Sequence, residues 1–317
     1  MKRICVFAHW DKDNIIDDYV IYYLNALKEV NDTIIFVSDC DIDASELKKL
    51  NSITEHIIAQ KHGEYDFGSY KRGFLYAKAN NMEFDELLLV NDSCYGPFYP
   101  LKPIFDKMSN KKCDFWGLTT NSYGISLENN IRSAIWEPHI QSYFMLFKSK
   151  VFNSYVFNDF IKGIKAEDTK DLIIKNYEIS LTKILHNNKF KSAVYIDRFH
   201  HTENCLSSKW KKLILKYKFP FIKTSVVRKG IFVLGEVKDW KDTIEKISDY
   251  PTEFITTNSE RYRVLEENLY SKFNLYRKIR FNILNNSPME LRKIVIYIEK
   301  YGYKILNTLF FNKLKKF

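Results

Sequence analysis

Two residues that could do chemistry, Asn91 and Asp92, come directly after an uninterrupted apolar run. The run, Leu87 to Val90, lacks the alternation of a half-exposed strand, so it predicts a strand buried on both faces in the centre of a parallel sheet. Ligands of open α/β sheets bind outside the carboxyl ends of the strands. A carboxylate at this place could hold Mg²⁺ or Mn²⁺ against a diphosphate. The alternative is that both residues only cap the strand and begin the turn at Gly96-Pro97.

Alternating strands and helices precede this strand. Apolar runs predict strands at 4–10, 33–39 and 53–59, and helical spacing predicts helices at 15–30 and 43–50. A segment at 64–74 then leads into a helix that ends near Met82. This order predicts a doubly wound, mostly parallel α/β sheet flanked by helices, with right-handed crossovers. The sequence contains neither a GxGxxG fingerprint nor a Walker motif, which argues against a dinucleotide-binding enzyme and a P-loop NTPase.

The second half of the chain continues with the same kinds of element. Strands are predicted at 113–121, 139–149 and 192–196, and helices at 103–108, 150–164 and 176–187. A further short strand is predicted between Gly230 and Gly235, followed by a helix at 240–247. The composition changes near Arg261, so we divide the chain into a folded domain, 1–260, and a tail, 261–317.

Composition restricts the class of protein. The chain has 317 residues, 45% of them hydrophobic, which is enough for a large core. Its five cysteines show no CxxC or Cys/His spacing, so we expect reduced thiols in the cytosol and no structural zinc. The apolar run at the amino terminus is too short for a signal peptide, and no run reaches the roughly 18 apolar residues that span a bilayer.

The net charge of +10 comes mostly from the tail. Residues 272–317 contain eleven Lys and Arg against two Glu, which leaves a nearly neutral body without the basic face expected of a nucleic-acid-binding domain. Apolar residues recur in the tail with helical spacing, at positions 291, 294, 295, 298, 301, 305 and 309. A basic amphipathic helix of this kind is typical of an anchor on an anionic membrane surface, and the alternative is a helix packed on the body.

Five segments carry a resemblance to a known family. NDSCYGPF, CDFWGLT, HIQSYFMLF, NYEISLTKIL and the segment 210–223 resemble, in this order and spacing, the rhamnan-synthesis-F family of bacterial cell-surface polysaccharide glycosyltransferases. The resemblance covers about residues 1–230. It implies a GT-A-like fold and the transfer of a deoxyhexose, rhamnose from a dTDP-activated donor, to a growing glycan. Asn91 replaces the first acid of an Asp-x-Asp motif, so dependence on a divalent metal stays open.

The resemblance suggests roles for polar residues near the predicted strand ends. Asp92 is the candidate contact to a metal or to the diphosphate, and Asp39, at the end of the second strand, is the candidate contact to the nucleoside. The other candidates for binding the donor are Asn91, then Asp66, Ser69 and Lys71 in the predicted loop before a helix, and finally Lys223. Each also has an ordinary structural explanation as a cap, a turn residue or a solvated lysine.

Other residues are assigned to the acceptor side. Glu178, in the first turn of the predicted helix at 176–187, is the candidate general base, at a position similar to that of the base in other inverting GT-A enzymes. A role in favouring its own helix through the dipole is the alternative. Three candidates for lining the acceptor pocket open the predicted strand at 139–149: His139, Gln141 and Ser142.

We therefore expect an inverting glycosyltransferase on the inner face of the cytoplasmic membrane. Its expected partners are a nucleotide-sugar donor, a lipid-linked glycan acceptor and the anionic membrane surface, without nucleic acid. The alternative is a non-catalytic nucleotide-sugar or glycan-binding subunit of a polysaccharide assembly complex, which the incomplete Asp-x-Asp motif favours.

Overall fold

A computed structural model of the chain describes residues 1–128, 131–197, 206, 209–233 and 239–270. The chain divides into two compact units. The first contains residues 1–227 and 239–258, and the second contains residues 228–238 and 259–317. The strands of the described residues and the candidate site all lie in the first unit.

The strands and their pairing define the architecture of the first unit. In chain order they are β1 (Arg3–His9), β2 (Thr33–Ser38), β3 (His56–Ala59), β4 (Glu86–Asn91), β5 (Cys94–Tyr95), β6 (Phe115–Gly117), β7 (Thr120–Glu128), β8 (Ile131–Ile140), β9 (Phe144–Lys148), β10 (Ser192–Val194) and β11 (Ile222–Lys223). Seven of them form one sheet in the order β10-β6-β9-β4-β1-β2-β3. Its neighbouring pairs are parallel except where β9 pairs with β4 and β6. The predicted mostly parallel α/β sheet is confirmed.

Helices connect and flank these strands. They are α1 (Asp18–Lys28), α2 (Ala44–Leu47), α3 (Tyr65–Ala79), α4 (Lys102–Ser109), α5 (Ser149–Phe152), α6 (Tyr155–Lys162), α7 (Lys170–Ile173), α8 (Ser180–Asn187), α9 (Trp210–Tyr217), α10 (Thr224–Val233), α11 (Trp240–Glu245) and α12 (Thr252–Tyr270). A 3₁₀ turn, Lys48–Leu50, follows α2, and a π-helical segment, Ile174–Ile179, joins α7 to α8. No helix that the structure describes is both long and apolar enough to cross a bilayer.

Strand β4 has the environment that its sequence predicts. All six of its residues are buried, and it lies between β1 and β9. Its parallel register with β1 pairs Ala8 with Asn91, so the carboxyl ends of the two strands meet at the same edge of the sheet. This edge therefore collects the polar residues that follow each strand.

Two of the predicted strands are each divided in the structure. The segment 113–121 contains β6 and the start of the β7–β8 hairpin, and 139–149 contains the end of β8 and then β9. The break in the second segment has a clear cause. Ser142 donates its backbone N–H to Glu178 Oε1 at 2.9 Å, and its carbonyl accepts from Tyr70 Oη at 2.8 Å. Its backbone groups are thus bonded to side chains instead of a neighbouring strand.

Two further predictions about the elements are wrong. Helix α3 begins at Tyr65, so Asp66, Ser69 and Lys71 lie in the helix and not in a loop before it. Residues 230–233 belong to helix α10 instead of a strand, because periodicity alone does not separate a short apolar strand from a buried helical segment. The boundary near Arg261 stays a prediction, and the part of the tail beyond Tyr270 lies outside the described residues.

Helix α3 packs closely on the sheet through Gly73. A Cβ built on Gly73 would lie 2.3 Å from Val6 Cγ1 and 3.2 Å from Val37 Cγ2. The α3 side chains Phe74 and Tyr70 join the same buried cluster as β1 and β4. The absence of a side chain at Gly73 therefore sets the distance between the helix and strands β1 and β2, and with it the position of Asp66.

Gly73→Ala should destabilise the fold by about 1–3 kcal/mol, because the added methyl group overlaps a buried valine that has no room to move. Urea unfolding measures the free-energy change. Gly163→Ala is the matched control, since a Cβ there would meet only the Asp159 and Phe160 carbonyls, at 3.3 and 3.5 Å. Equal effects of the two substitutions would contradict the close packing of α3 on β1.

Candidate functional site

Asn91 connects the end of the central strand to helix α3. Its amide Nδ2 donates to Asp66 Oδ2 at 2.9 Å, and its Oδ1 accepts from Ser93 Oγ at 2.6 Å. An aspartate at position 91 could not donate a hydrogen bond to Asp66 and would bring a second negative charge against it. The contact with Asp66 therefore explains why an amide stands at the first position of the expected Asp-x-Asp motif.

Asp92 is fixed against the end of β1. Its Oδ2 accepts from the backbone N–H of Trp10 at 2.9 Å, and its carbonyl accepts from Tyr19 Oη at 3.1 Å. The residue is only partly buried. Asp92 thus presents a positioned, partly exposed carboxylate at the sheet edge, as the sequence predicts. Trp10 was not among the predicted site residues. Its place at the end of the first predicted strand could have indicated it, because parallel strands end at one edge.

Lys223 reaches the same edge from a distant part of the chain. Strand β11 pairs with β5 so that Lys223 lies opposite Cys94, and Lys223 Nζ donates to Ser93 Oγ at 3.2 Å. The ammonium also lies 5.3 Å from the centre of the Tyr143 ring. The pairing brings the ammonium of Lys223 to Ser93, the residue that follows Asp92. A cation at this place is suitable for binding a phosphate group.

A close backbone approach holds the Lys223 segment in place. Gly96 has a φ of +127°, and a Cβ there would lie 2.3 Å from the Pro220 carbonyl oxygen. That carbonyl accepts the backbone N–H of Phe98 at 2.8 Å. Gly96 is therefore required both by its conformation and by the chain that passes beside it.

Glu178 lies in the middle of a helical run and not in a first turn. The run begins after Thr169, whose hydroxyl accepts from the Leu172 N–H, and it continues through α7, the π segment and α8. The dipole at a helix N-terminus therefore does not explain Glu178. π-Helical turns occur frequently at functional sites, and this one contains Glu178. Glu178 Oε1 is held by the N–H of Ser142.

The negative charge of Glu178 acts on the carboxyl of Asp66. Burial raises the pKa of the Asp66 carboxyl above its usual range, and the negative charge of Glu178 raises that pKa further. Lys170, the Asn91 hydrogen bond and Lys223 oppose the increase. Two carboxylates and a lysine therefore share one polar region beside Asp92, the arrangement expected of a site that both binds charge and moves a proton.

Asp39, Ser69 and Lys71 support this edge of the sheet. Asp39 Oδ1 accepts the backbone N–H groups of His62 and Gly63, at 2.5 and 2.8 Å, and so shapes the loop before α3. Ser69 is buried and bonds to His62 Nε2 at 3.1 Å. Lys71 Nζ donates to the Ile164 carbonyl at 2.5 Å. Their roles in binding a donor stay predictions.

Asp39, His62 and Ser69 have the composition of a nucleophilic triad but not its hydrogen-bond direction. His62 Nδ1 accepts the backbone N–H of Glu64 at 3.1 Å, so the ring proton lies on Nε2 and is donated to Ser69 Oγ. A serine nucleophile needs an imidazole nitrogen that accepts its proton. Burial also lowers the pKa of His62, against the opposing effect of Asp39. This cluster is therefore not a nucleophilic triad.

The three acceptor candidates are buried where the hairpin joins β9. His139 Nδ1 lies 2.7 Å from the Glu137 carbonyl, and Gln141 Oε1 accepts from Thr119 Oγ1 at 2.8 Å. They do not open one continuous strand: His139 lies in β8, and Gln141 and Ser142 lie in the break before β9. Of the three, Ser142 contacts Glu178, and it does so through its backbone.

The donor atoms fit a divalent ion only in part. Within the described ranges, no group of three or more His, Cys, Asp or Glu could hold a metal ion. Asp92 supplies one carboxylate, while Asn91 Oδ1 already accepts from Ser93. Mg²⁺ is often bound by one or two carboxylates together with substrate phosphates and water. The site therefore fits a metal that arrives with a diphosphate, and Asp92 would hold it.

Asp66→Asn tests the raised pKa of Asp66 through protein stability. The unfolded carboxyl titrates near pH 3.9, and the folded one titrates higher, so folding is penalised increasingly as the pH rises through this interval. The substitution removes the penalty and keeps an oxygen for Asn91. We expect the free energy of unfolding of Asp66→Asn, relative to the unsubstituted protein, to increase between pH 4 and pH 7.

Urea unfolding at four pH values in this interval measures the difference. Asp159→Asn, at an exposed position of α6, controls for the removal of a carboxylate and should change stability by less than about 0.5 kcal/mol. A difference for Asp66→Asn that does not change with pH would contradict the raised pKa.

The chain is similar in sequence to a known family and to curated proteins. The rhamnan synthesis protein F family model matches residues 34–317. Virulence protein VirA of Vibrio anguillarum is 30% identical over 179 residues, 55% of this chain and 50% of the relative. Uncharacterized protein y4gN of Sinorhizobium fredii is 27% identical over 150 residues, 47% of this chain and 37% of the relative. The chain thus spans half or less of the length of these curated relatives.

Solved structures are similar at low identity. Core-mannan synthase A from Aspergillus fumigatus, in an Mn/GDP form, has a TM-score of 0.37 and 9% identity, covering 58% of this chain and 69% of that one. 4-Diphosphocytidyl-2C-methyl-D-erythritol synthase from Anaerococcus prevotii has a TM-score of 0.39 and 12% identity, covering 64% and 90%. The family match extends over most of the sequence, and the chain belongs to the rhamnan synthesis protein F family.

Proposed function

We propose that the protein is a glycosyltransferase that uses a nucleotide-sugar donor. One observation carries the proposal: Asp92, Lys223 and the acids Asp66 and Glu178 share the edge of the sheet where β1 and β4 end. Membership of the rhamnan synthesis protein F family supports the same reaction class. A transferase of this type needs a group that binds diphosphate and a base for the acceptor, and both are available here.

The donor binds with its diphosphate between Asp92 and Lys223. The ammonium of Lys223 compensates charge on the phosphates as the leaving group departs. Asp92 would hold a divalent ion that arrives with the donor, and such an ion would compensate negative charge on the diphosphate. Asp39, which follows β2, is the proposed contact to the nucleoside. Asn91 does not bind the donor itself in this proposal, since both ends of its amide already have partners in the protein.

Glu178 accepts the proton of the attacking hydroxyl. The acceptor oxygen forms a bond to the anomeric carbon while the bond from that carbon to the phosphate oxygen breaks, and the hydroxyl proton moves to Glu178. Attack from the face opposite the diphosphate inverts the anomeric configuration. The Ser142 N–H orients Glu178. Asp66 keeps Asn91 in position and adds negative charge near the base.

The specific reaction proposed is transfer of rhamnose from a dTDP donor to a lipid-linked glycan. The name of the family, rhamnan synthesis protein F, supports the sugar. A lipid-linked acceptor requires access to the inner face of the cytoplasmic membrane, and the net charge of the segment 272–317 supports that location. A non-catalytic subunit that binds nucleotide sugars remains the second candidate, because Asp92 is the one acid among Asn91, Asp92 and Ser93. Slow hydrolysis of the donor without acceptor would distinguish the enzyme from such a subunit.

The donor-binding proposal predicts affinity for a nucleoside diphosphate sugar that depends on Asp92 and Lys223. Calorimetry with dTDP-, UDP- and GDP-sugars, each with and without Mn²⁺, should find one class that binds. Lys223→Gln should weaken binding of that sugar nucleotide about tenfold or more, the loss expected for one charged hydrogen bond. Asp92→Asn should weaken binding about tenfold in the presence of Mn²⁺, because the metal that accompanies the diphosphate loses its carboxylate ligand. Lys107→Gln, on the exposed part of α4, should bind as the unsubstituted protein does. Absence of binding to every donor would remove the proposal.

The proposed base predicts a separation of turnover from binding. Glu178→Gln should lower kcat by about 10²–10⁴-fold, because the acceptor hydroxyl loses its proton acceptor, and should leave donor affinity nearly unchanged. Glu137→Gln is the control, as Glu137 forms a surface ion pair with Lys183. A folded Glu178→Gln protein with normal turnover would exclude Glu178 as the base.

A further inference from the structure

Helix α9 has one buried face and one strongly basic face. Trp210, Leu213 and Ile214 are buried. The residues that we call the basic face are all exposed: Lys209, Lys212, Leu215, Lys216 and Lys218. Lys212, Leu215 and Lys216 lie on one side of the helix by their spacing of three and four residues, and Lys209 and Lys218 flank the helix at its two ends. The helix therefore rests on the protein by one side and presents a line of lysines on the other.

The sequence of α9 and of the residues beside it has an excess of basic residues. Residues 206–235 contain eight Lys and Arg and no Asp or Glu. Lys211, beside the basic face, is paired with Asp239 from a later segment. A nearly neutral folded body thus carries a local concentration of positive charge on this helix, which favours a partner with many negative charges.

An exposed leucine at the centre of the basic face helps to distinguish between a nucleic acid and a lipid surface as the partner. Leu215 is 48% exposed although the lysines around it are charged and hydrated. Nucleic acids use lysines for their phosphates, but bases stack on aromatic side chains, and Leu215 offers none. A lipid headgroup layer accepts both features, because lysines contact anionic phosphates while an aliphatic side chain inserts between headgroups.

The helix is attached firmly to the segment that carries Lys223. Tyr99 Oη donates to the Ile214 carbonyl at 3.2 Å, and the Phe219 N–H donates to the Leu213 carbonyl at 3.1 Å. The next residues approach Gly96 and then form β11. Helix α9 therefore ends at Tyr217, a few residues before Lys223, which lies at the edge where β4 ends.

We propose that the basic face of α9 binds the surface of an anionic phospholipid bilayer and holds the candidate site next to it. The basic face belongs to the folded body and acts in addition to the tail. Binding of this face to lipid does not depend on catalysis, although its purpose, access to a lipid-linked acceptor, rests on the proposed function. The contact with the membrane is electrostatic at Lys209, Lys212, Lys216 and Lys218 and apolar at Leu215.

Flotation with vesicles tests the proposal on the full chain. The unsubstituted protein should float with vesicles containing phosphatidylglycerol and not with pure phosphatidylcholine vesicles. Lys209→Gln, Lys212→Gln and Lys216→Gln together should lower the partition coefficient about a hundredfold, at about fivefold per lysine near an anionic surface. Leu215→Ser should lower binding less, and this loss should persist at high salt.

A second triple variant provides the matched control. Lys111→Gln, Lys112→Gln and Lys189→Gln remove three other exposed lysines and the same net charge, and this variant should float like the unsubstituted protein. Equal losses in both triple variants would show that total charge, and not the α9 face, determines binding. Normal flotation of the first triple variant would overturn the proposal. The proposal would also be overturned if the α9 face bound duplex DNA and Leu215→Ser left flotation unchanged. Donor calorimetry on the same variants separates a failure of this proposal from a failure of the proposed function.

Discussion

The hydrogen bond from the Asn91 amide to the Asp66 carboxylate is the contact on which the rest of the site depends. It joins the end of the central strand to the first turn of α3. Helix α3 packs closely on β1 because Gly73 has no side chain. A carboxylate buried beside another acid is unfavourable unless hydrogen-bond donors or cations compensate for it. Asn91 supplies the donor, so the residue that interrupts the expected acidic motif is the one that allows Asp66 to be there.

The same constraint organises the charges around the sheet edge. The charge of Glu178 makes the negative charge on Asp66 less favourable, and the charge of Lys223 makes it more favourable. Lys223 is brought to the edge by the pairing of β11 with β5, which in turn needs the close passage of Pro220 beside Gly96. A segment more than a hundred residues after β4 therefore completes the site. The arrangement leaves Asp92 and Lys223 for a diphosphate and Glu178 for the acceptor, in the proposed function.

Sequence patterns were sufficient for the parts of the fold that depend on burial. The run Leu87–Val90 predicts β4 because a strand in the middle of a parallel sheet is apolar on both faces, and the structure confirms it. The meeting of polar residues at the ends of β1, β2 and β4 could be predicted because parallel strands end at one edge. The position of Asp92 needed no more than this rule, and its role in binding a donor stays a prediction.

Other features depended on contacts that no local pattern contains. The break at Ser142 arises from hydrogen bonds to Tyr70 and Glu178, which come from two distant helices. The π segment that carries Glu178 reads as ordinary helical spacing, so the residue was placed in a first turn. The partnership of Asn91 with Asp66 was also hidden, because helix α3 begins earlier than its sequence suggested. At Ser142, tertiary hydrogen bonds overrode the local signal.

The central claim is that a diphosphate binds between Asp92 and Lys223, at the sheet edge where Glu178 acts as the base. A crystal structure of the protein with dTDP and Mg²⁺ tests it most directly. The account predicts a phosphate oxygen within hydrogen-bonding distance of Lys223 Nζ and metal density, where present, at Asp92. A diphosphate bound at another surface, with Lys223 still on Ser93 and no ligand beside Asp92, would contradict it.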